Sequence, residues 1–281
     1  MVKKRLISLI LSLACLIGLL LLLYPTLSDA WNKRHSSRSI ASYNEKVSNV
    51  DDSVYVAEWQ KALSFNAKLA DLKGYELDEE LSEEYHAALD VSGLGIMGYI
   101  QIPKINVETP IYHGTSNSVL QIAIGHIEWS SLPTGGPSTH CVISGHRGLP
   151  SARLFTDLPK LSLGDVFYVR VLNELLTYEV DQIRTVMPDD LEDLKVVEGK
   201  DYLTLVTCTP YGVNTHRLLV RGHRIENSAE AKKLYVSSDA VRIDPLIVVP
   251  LLAFPVIGIL VLLVFLIADL RDSRKKKGGY Q

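Results

Sequence analysis

Residues 204–224 read TLVTCTPYGVNTHRLLVRGHR. Two runs rich in β-branched and aliphatic residues, Tyr202–Thr207 and His216–Arg221, flank a stretch punctuated by Pro210, Gly212 and Asn214. That pattern predicts two strands joined by a loop. Paired antiparallel, the end of one strand meets the start of the next, which brings Cys208 and Arg217 together. A guanidinium stays protonated, so Arg217 cannot serve as a base; it can stabilise charge developing on an oxygen. Cys208 beside a fixed cation is a candidate nucleophile.

A cysteine nucleophile needs an acid/base partner, most often histidine. The chain has eight histidines. His35 lies in a polar linker-like stretch and His86 in a helical one. His216 adjoins Arg217 and should face the other side of its strand, and His223 lies beyond it. His113, His126, His140 and His146 remain. His146, in ISGHRGLP, follows a β run and precedes a Gly-Leu-Pro break, a strand-end position. His126, in GHIEW, is its strongest rival, and the residues alone leave that choice open. Of the other cysteines, Cys15 lies in an apolar block, and Cys141, in the apolar run HCVIS, reads as core packing. Three cysteines do not make a disulfide scaffold.

Outward from this hairpin, the chain beyond Gly93 is a series of short β-branched runs broken by turn residues: MGYIQIP, TPIYHG, THCVISGH, DVFYVRV and LLTYEVDQIRTV precede the two strands above. An all-β barrel or sandwich follows. Residues 43–92 have helical texture. Val56, Trp59 and Leu63 recur at spacings of three and four, as on one helix face, and ELDEELSEEY at 76–85 reads as a solvated acidic helix face.

Two apolar blocks bracket this region, residues 6–24 and 247–268. As helices they reach about 28 and 33 Å, enough to cross a bilayer core of about 30 Å. Lys3-Lys4-Arg5 precedes the first, and Arg271 with Arg274-Lys275-Lys276-Lys277 follows the second. The positive-inside tendency places both flanks in the cytoplasm and the middle of the chain outside. The division expected is a cytoplasmic stub (1–5), a membrane span (6–24), a linker (25–42), a helical region (43–92), a catalytic β domain (93–226), a linker (227–246), a second span (247–268) and a basic cytoplasmic tail (269–281). Cleavage of the first block as a signal peptide is the competing reading, for which SDA-W at 28–31 is weakly cleavage-like. The formal net charge is −3, of which residues 1–5 and 269–281 each contribute +3, leaving −9 for 6–268. That acidity argues against nucleic acid and anionic membrane surfaces as main partners.

The hairpin sequence resembles the signature of the sortases. TPYGVNTHRLLVRG, GIMGYIQIPKINVETPIYHGTS and SGHRGLPSARLFTDL resemble segments of their pilin-polymerising branch, class C, and the likeness covers about 93–225. A C-terminal membrane span is also a feature of that branch. The resemblance implies a mainly β fold, a closed eight-stranded barrel with N-terminal helices and two flanking transmembrane helices. It implies a Cys-His-Arg triad of Cys208, His146 and Arg217, which lifts His146 above His126. It also implies the partners: pilin precursors bearing LPxTG-like sorting signals, a pilin lysine amine as second substrate, and the cell membrane. In one respect the chain departs from the branch. Many members place an Asp-Pro-aromatic lid over the cysteine from the segment before the barrel. Here the only Asp-Pro is Asp244-Pro245, beside the second span, so a lidless, open site is expected.

The reaction so implied is transpeptidation through a thioacyl intermediate. It needs positioned acid, base and charge, and so implies neither metal nor organic cofactor. Three alternatives share part of the pattern: a sortase that attaches proteins to peptidoglycan, an extracellular cysteine protease, and a non-catalytic membrane-anchored adhesin.

Overall fold

The computed structural model describes residues 2–69 and 75–228. Of the described residues, those from 31 onward fall in one compact unit and 2–30 in a separate one. The second apolar block and the basic tail lie outside the described residues, as does nearly all of the linker expected at 227–246.

The first helix, α1, runs from Val2 to Ser48. Among the described residues it is the one helix long and apolar enough to cross a membrane. Residues 25–42, expected as a linker on their polar composition, are part of this helix. Further along, Ile40, Tyr43 and Val47 give the reason for its continuity. They recur at helical spacing and are 1–5% exposed, so their burial holds the last turns in place. Tyr43 Oη donates to Met97 O (3.0 Å) and accepts from Leu172 N (2.7 Å).

Helix α2 spans Asp52–Leu69 and α3 spans Glu79–Ala87. The helix expected around Val56, Trp59 and Leu63 is present, but its buried face is a different one. Ala62 and Phe65 are buried with Trp59 packed beside them, whereas Val56 is 54% exposed. Apolar residues at 59, 62 and 65 fit a stripe as well as 56, 59 and 63 do, and tertiary contact chose between them. Helix α3 starts at Asp78, whose carboxylate accepts from Leu81 N (2.8 Å). It turns Leu81 and Tyr85 inward and leaves its glutamates largely in solvent.

Eight strands follow: β1 (Ile96–Ile102), β2 (Val107–His113), β3 (Ile124–His126), β4 (Thr139–Ser144), β5 (Val166–Val171), β6 (Glu174–Val186), β7 (Asp201–Thr209) and β8 (His216–Ile225). They close into a barrel in the order β1-β2-β3-β4-β7-β8-β6-β5. The three-residue β3 is the strand that the segment-by-segment reading of β runs does not include. Two neighbouring pairs are parallel, β2 with β3 and β4 with β7. The second of these carries the site. A parallel pair needs a long crossover, and here β5 and β6 supply it before the chain returns as β7. The interior is filled by one face of each strand, including Ile100, Phe167, Val169, Leu203, Leu205 and Val220, all fully buried.

Candidate active site

Strand β7 has two buried faces. Leu203 and Leu205 point into the barrel core. Side chains alternate along a strand, so Thr204, Val206 and Cys208 lie on the outer face. There Val206 meets Val142, Val186, Leu194 and Leu219 in a second, smaller apolar cluster, flanked by Ile127, Trp129 and Leu191. A segment reaching both kinds of partner reads as a near-continuous apolar run, as YLTLVTC does.

Cys208 ends this outer row. In the antiparallel register of β7 with β8 it stands directly opposite Arg217, as the hairpin reading expects. Arg217 in turn stands opposite Val186 of β6. On the other side, β4 runs parallel to β7, from Thr139 opposite Asp201 to Ser144 opposite Val206. That spacing persists past the end of β4. Gly145 N donates to Val206 O (3.0 Å), Thr207 Oγ1 donates to Gly145 O (2.8 Å), and Arg147 Nη1 donates to Thr209 Oγ1 (3.0 Å). Continued at the same offset, the register would bring His146 opposite Cys208. Cys208 and Arg217 are thus paired across β7 and β8 and share a face, and His146 follows two residues past the end of β4.

The loop after β4 is held tightly at its root. A side chain at Gly145 would meet Phe155 Cδ2 at 2.7 Å and Ile124 Cγ2 at 2.8 Å, so only glycine lets the loop leave the strand here. Phe155 is fully buried, and its backbone N–H donates to His146 O (3.1 Å). Asn32 of α1 donates from Nδ2 to Ser151 O (2.5 Å), so the helix also braces this loop. His146, Cys208 and Arg217 are each half-buried. The His146 ring makes no hydrogen bond among the described residues. The Arg217 guanidinium donates to Asn214 O (3.2 Å) and His216 O (3.1 Å), carbonyls of its own hairpin.

The other candidates are placed elsewhere. His126 is fully buried, and its Nε2 lies 2.9 Å from Ser131 O and its Nδ1 3.1 Å from Tyr85 Oη. Burial pushes its pKa down to about 3. His113 is held between Gly95 O (3.1 Å) and Ala88 O (2.8 Å), again with its pKa lowered by burial. His140 is 1% exposed. Cys141 lies in the core, where burial pushes its thiol well above the ordinary range, as expected of a packing residue. Cys141 and Cys208 are both free thiols. Among the described residues no three His, Cys, Asp or Glu side chains gather as a metal-binding group.

Three features of the site were not found from the sequence: the apolar outer cluster, the stitching by Thr207 and Arg147, and the contact of Tyr75 with Trp129, whose rings lie 4.8 Å apart. The double-faced apolar texture of β7 was a usable signal for the first. The others depend on register, which a single sequence does not display.

A closed β-barrel that presents a half-buried free cysteine directly opposite an arginine is suited to thiol chemistry. The sortase domain model matches residues 100–225. Sortase C1 from Streptococcus agalactiae is 55% identical, with a TM-score of 0.66 over 68% of this chain and 100% of that one. Sortase C from Streptococcus pneumoniae is 46% identical, with a TM-score of 0.62 over 68% of this chain and 98% of that one. Sortase D of Bacillus subtilis is 31% identical over 46% of this chain, which spans 63% of that relative's length. The chain belongs to the sortase family of cysteine transpeptidases.

Proposed function

We propose that this chain is a membrane-anchored transpeptidase that joins pilin subunits. The observation that carries the proposal is the half-buried free thiol of Cys208 standing opposite Arg217, with the parallel β4–β7 pairing leading, two residues past Ser144, to His146. The sulfur of Cys208 attacks the threonine carbonyl of an LPxTG-like sorting signal. Arg217 turns its donors from the hairpin carbonyls to the developing oxyanion. The carbon–nitrogen bond to glycine breaks as His146 protonates the departing amine, and a thioester to Cys208 remains. The ε-amine of a pilin lysine then attacks this thioester. His146 accepts a proton, the carbon–sulfur bond breaks, an isopeptide bond forms, and the thiolate is restored.

The solved structures cited above support the pilin reading over wall attachment, since both are C-type sortases and one is described for its pilin substrate specificity. The apolar blocks at 6–24 and 247–268 support a two-pass arrangement, with the barrel outside and both termini inside the cell. The absence of an Asp-Pro-aromatic stretch before the barrel supports a site that peptide enters without displacing a lid.

Mass spectrometry of the full chain incubated with an LPxTG peptide tests the chemistry. A thioacyl adduct on Cys208 is expected; an adduct on Cys141, or none, overturns it. Supplying purified backbone pilin then tests the acceptor. A high-mass ladder is expected, and wall-precursor transfer without a ladder overturns the pilin reading.

A further inference from the structure

The residues on either side of His146 are fastened to the residues on either side of Cys208. Gly145 O accepts from Thr207 Oγ1 (2.8 Å), and Arg147 Nη1 donates to Thr209 Oγ1 (3.0 Å). The first of these bonds is backed by the sheet, because Gly145 N also donates to Val206 O (3.0 Å). The second lies past the last β4–β7 pair, where the ladder no longer holds the two chains together. There the junction depends on the Arg147 side chain.

Arg147 is half-buried, and a second contact fixes it. Its guanidinium carbon lies 5.9 Å from the centroid of the Tyr211 ring, within cation–π reach. Tyr211 is 60% exposed, yet its ring is seated: a side chain at Gly148 would meet Tyr211 Cε2 at 2.8 Å, so the ring lies against the Gly148 backbone. Gly148 has φ +84°, which glycine adopts without strain, and its N–H donates to Thr156 Oγ1 (3.1 Å). On the other side, Pro210 O accepts from Val213 N (3.1 Å) and Asn214 N (3.0 Å), closing the turn that carries Tyr211. Arg147 Nε is buried and has no hydrogen-bond partner among the described residues. Such a donor is costly, so the contacts with Thr209 and Tyr211 must hold the side chain in place. Those partners are a hydroxyl and a ring, both uncharged, so they orient the guanidinium without neutralising it.

We propose that Arg147 is a positioning residue for proton transfer. By clasping Thr209 and Tyr211 it holds the preceding residue, His146, where its imidazole can protonate the departing amine. The assignment rests on the transpeptidase reading of His146 and Cys208. Backbone continuity carries the effect. The His146 carbonyl is tied to Phe155 N (3.1 Å), while its ring makes no hydrogen bond among the described residues that would fix it independently. The loop is therefore fastened before His146 through the sheet and after it through Arg147.

The test uses the full chain and two peptides with the same LPxT acyl part. One carries glycine as its leaving amine, which must be protonated as the carbon–nitrogen bond breaks. The other is a thioester, whose thiolate departs without a proton. The maximal rate of thioacyl formation on Cys208 is measured in single turnovers at saturating peptide. Arg147→Met keeps the stem and removes the guanidinium; it is expected to slow the amide peptide about tenfold and the thioester by no more than about twofold. Arg147→Lys, whose ammonium can still donate to Thr209, is expected to recover most of the loss. Thr209→Val removes the acceptor without altering charge and is expected to slow the amide peptide about threefold. Tyr211→Leu should do likewise, and Tyr211→Phe, which keeps the ring face, should regain what Tyr211→Leu loses. Arg147→Met combined with Thr209→Val should be within about twofold of Arg147→Met alone, because the shared bond is lost only once. A wild-type rate on the amide peptide in Arg147→Met overturns the proposal. So does an equal loss on both peptides, or additive losses in the combined variant. If Arg147→Met does not fold, Thr209→Val decides by the same comparison of peptides. A wild-type enzyme that forms no adduct on Cys208 with either peptide would sink the transpeptidase reading instead. Hydrogen exchange at 146–150, expected to quicken in Arg147→Met, would still report on the clasp.

Discussion

Two Gly-His pairs sit at strand ends of the same barrel and meet opposite fates. Gly125-His126 lies in β3 and Gly145-His146 just past β4. Both glycines permit a close approach. A side chain at Gly125 would fall 2.1 Å from Gly114 O, and one at Gly145 would strike Phe155. The histidines differ in parity. His126 pairs with Ile143, a core residue, so its ring is carried into a saturated pocket with Tyr85, Ser130 and Ser131. His146 lies two residues past Ser144, the last residue of β4 paired with β7, and is half-buried. One imidazole has every nitrogen occupied and no solvent; the other is half-exposed, without a hydrogen bond among the described residues. A strand-end histidine becomes available for chemistry by facing outward, and its neighbours in sequence do not reveal which way it faces.

The largest expected effects separate the two cysteines, which repeat this contrast. Cys208→Ala should lower transpeptidation by about a thousandfold or more, measured as ligated product per enzyme. Cys141→Ala should leave the specific activity of folded protein within about twofold, at a stability cost of about 1–2 kcal/mol for the lost packing. The reverse pattern would place the nucleophile in the core.

Next in size come the histidines themselves. His146→Ala should cut activity by about a hundredfold or more while leaving the melting temperature nearly unchanged. His126→Ala should do the opposite, losing about 2–4 kcal/mol because Tyr85 and Ser131 lose buried partners. Calorimetry and kinetics on the same preparations check both, and a His126→Ala protein that is stable but inactive would erase the distinction.

Acid should sharpen the comparison further. In the unfolded chain a histidine titrates near 6.5, whereas burial holds folded His126 down to about 3. As pH falls below 6.5 the unfolded chain gains a proton that the folded one refuses, so stability drops on acidification. The loss from one such group approaches about 1.4 kcal/mol per pH unit, and His113 and His140, also depressed by burial, add to it. Between pH 6.5 and about 4.5 the ion-paired Asp157 and Asp165 stay charged, because their pKa values are lowered below the ordinary carboxylate range. The half-buried Asp201, whose pKa is raised by desolvation, acts in the opposite sense. Thermal melts across that window should show a fall in wild type and a shallower one in His126→Gln.

The sequence displays these contrasts unevenly. The Cys208–Arg217 pairing was legible because one hairpin with a loop of turn residues fixes it locally. The choice of His146 over His126 was not, since it depends on which face of β4 and β3 turns inward, and the family resemblance was needed to make it. Strand β3 escaped because three residues, IGH, carry too little alternation to register. The continuity of α1 through 25–42 was hidden by polar composition, although Ile40, Tyr43 and Val47 carry the helical spacing that anchors it. Likewise the buried stripe of α2 was settled by contact with the barrel, not by propensity.

The most local test isolates the hydroxyl that fills the inner pocket. Tyr85 Oη accepts from Gly114 N (2.8 Å) and faces both Nδ1 (3.1 Å) and the carbonyl oxygen (3.2 Å) of His126. Because His126 Nε2 lies against Ser131 O, which only accepts, Nε2 carries the ring hydrogen and Nδ1 must accept from Tyr85. Tyr85→Phe keeps the ring stacked on His126 and removes that single oxygen. It strands a backbone N–H at Gly114 and a ring nitrogen on His126, both at a fully buried tyrosine. The expected loss is about 1–3 kcal/mol, a fall of a few degrees in melting temperature for a domain of this size. Activity per folded molecule should hold within about twofold, since nothing in the outer row touches Tyr85. A Tyr85→Phe protein with normal stability and lost activity would mean that the pocket under α3 and the row at Cys208 are coupled rather than separate.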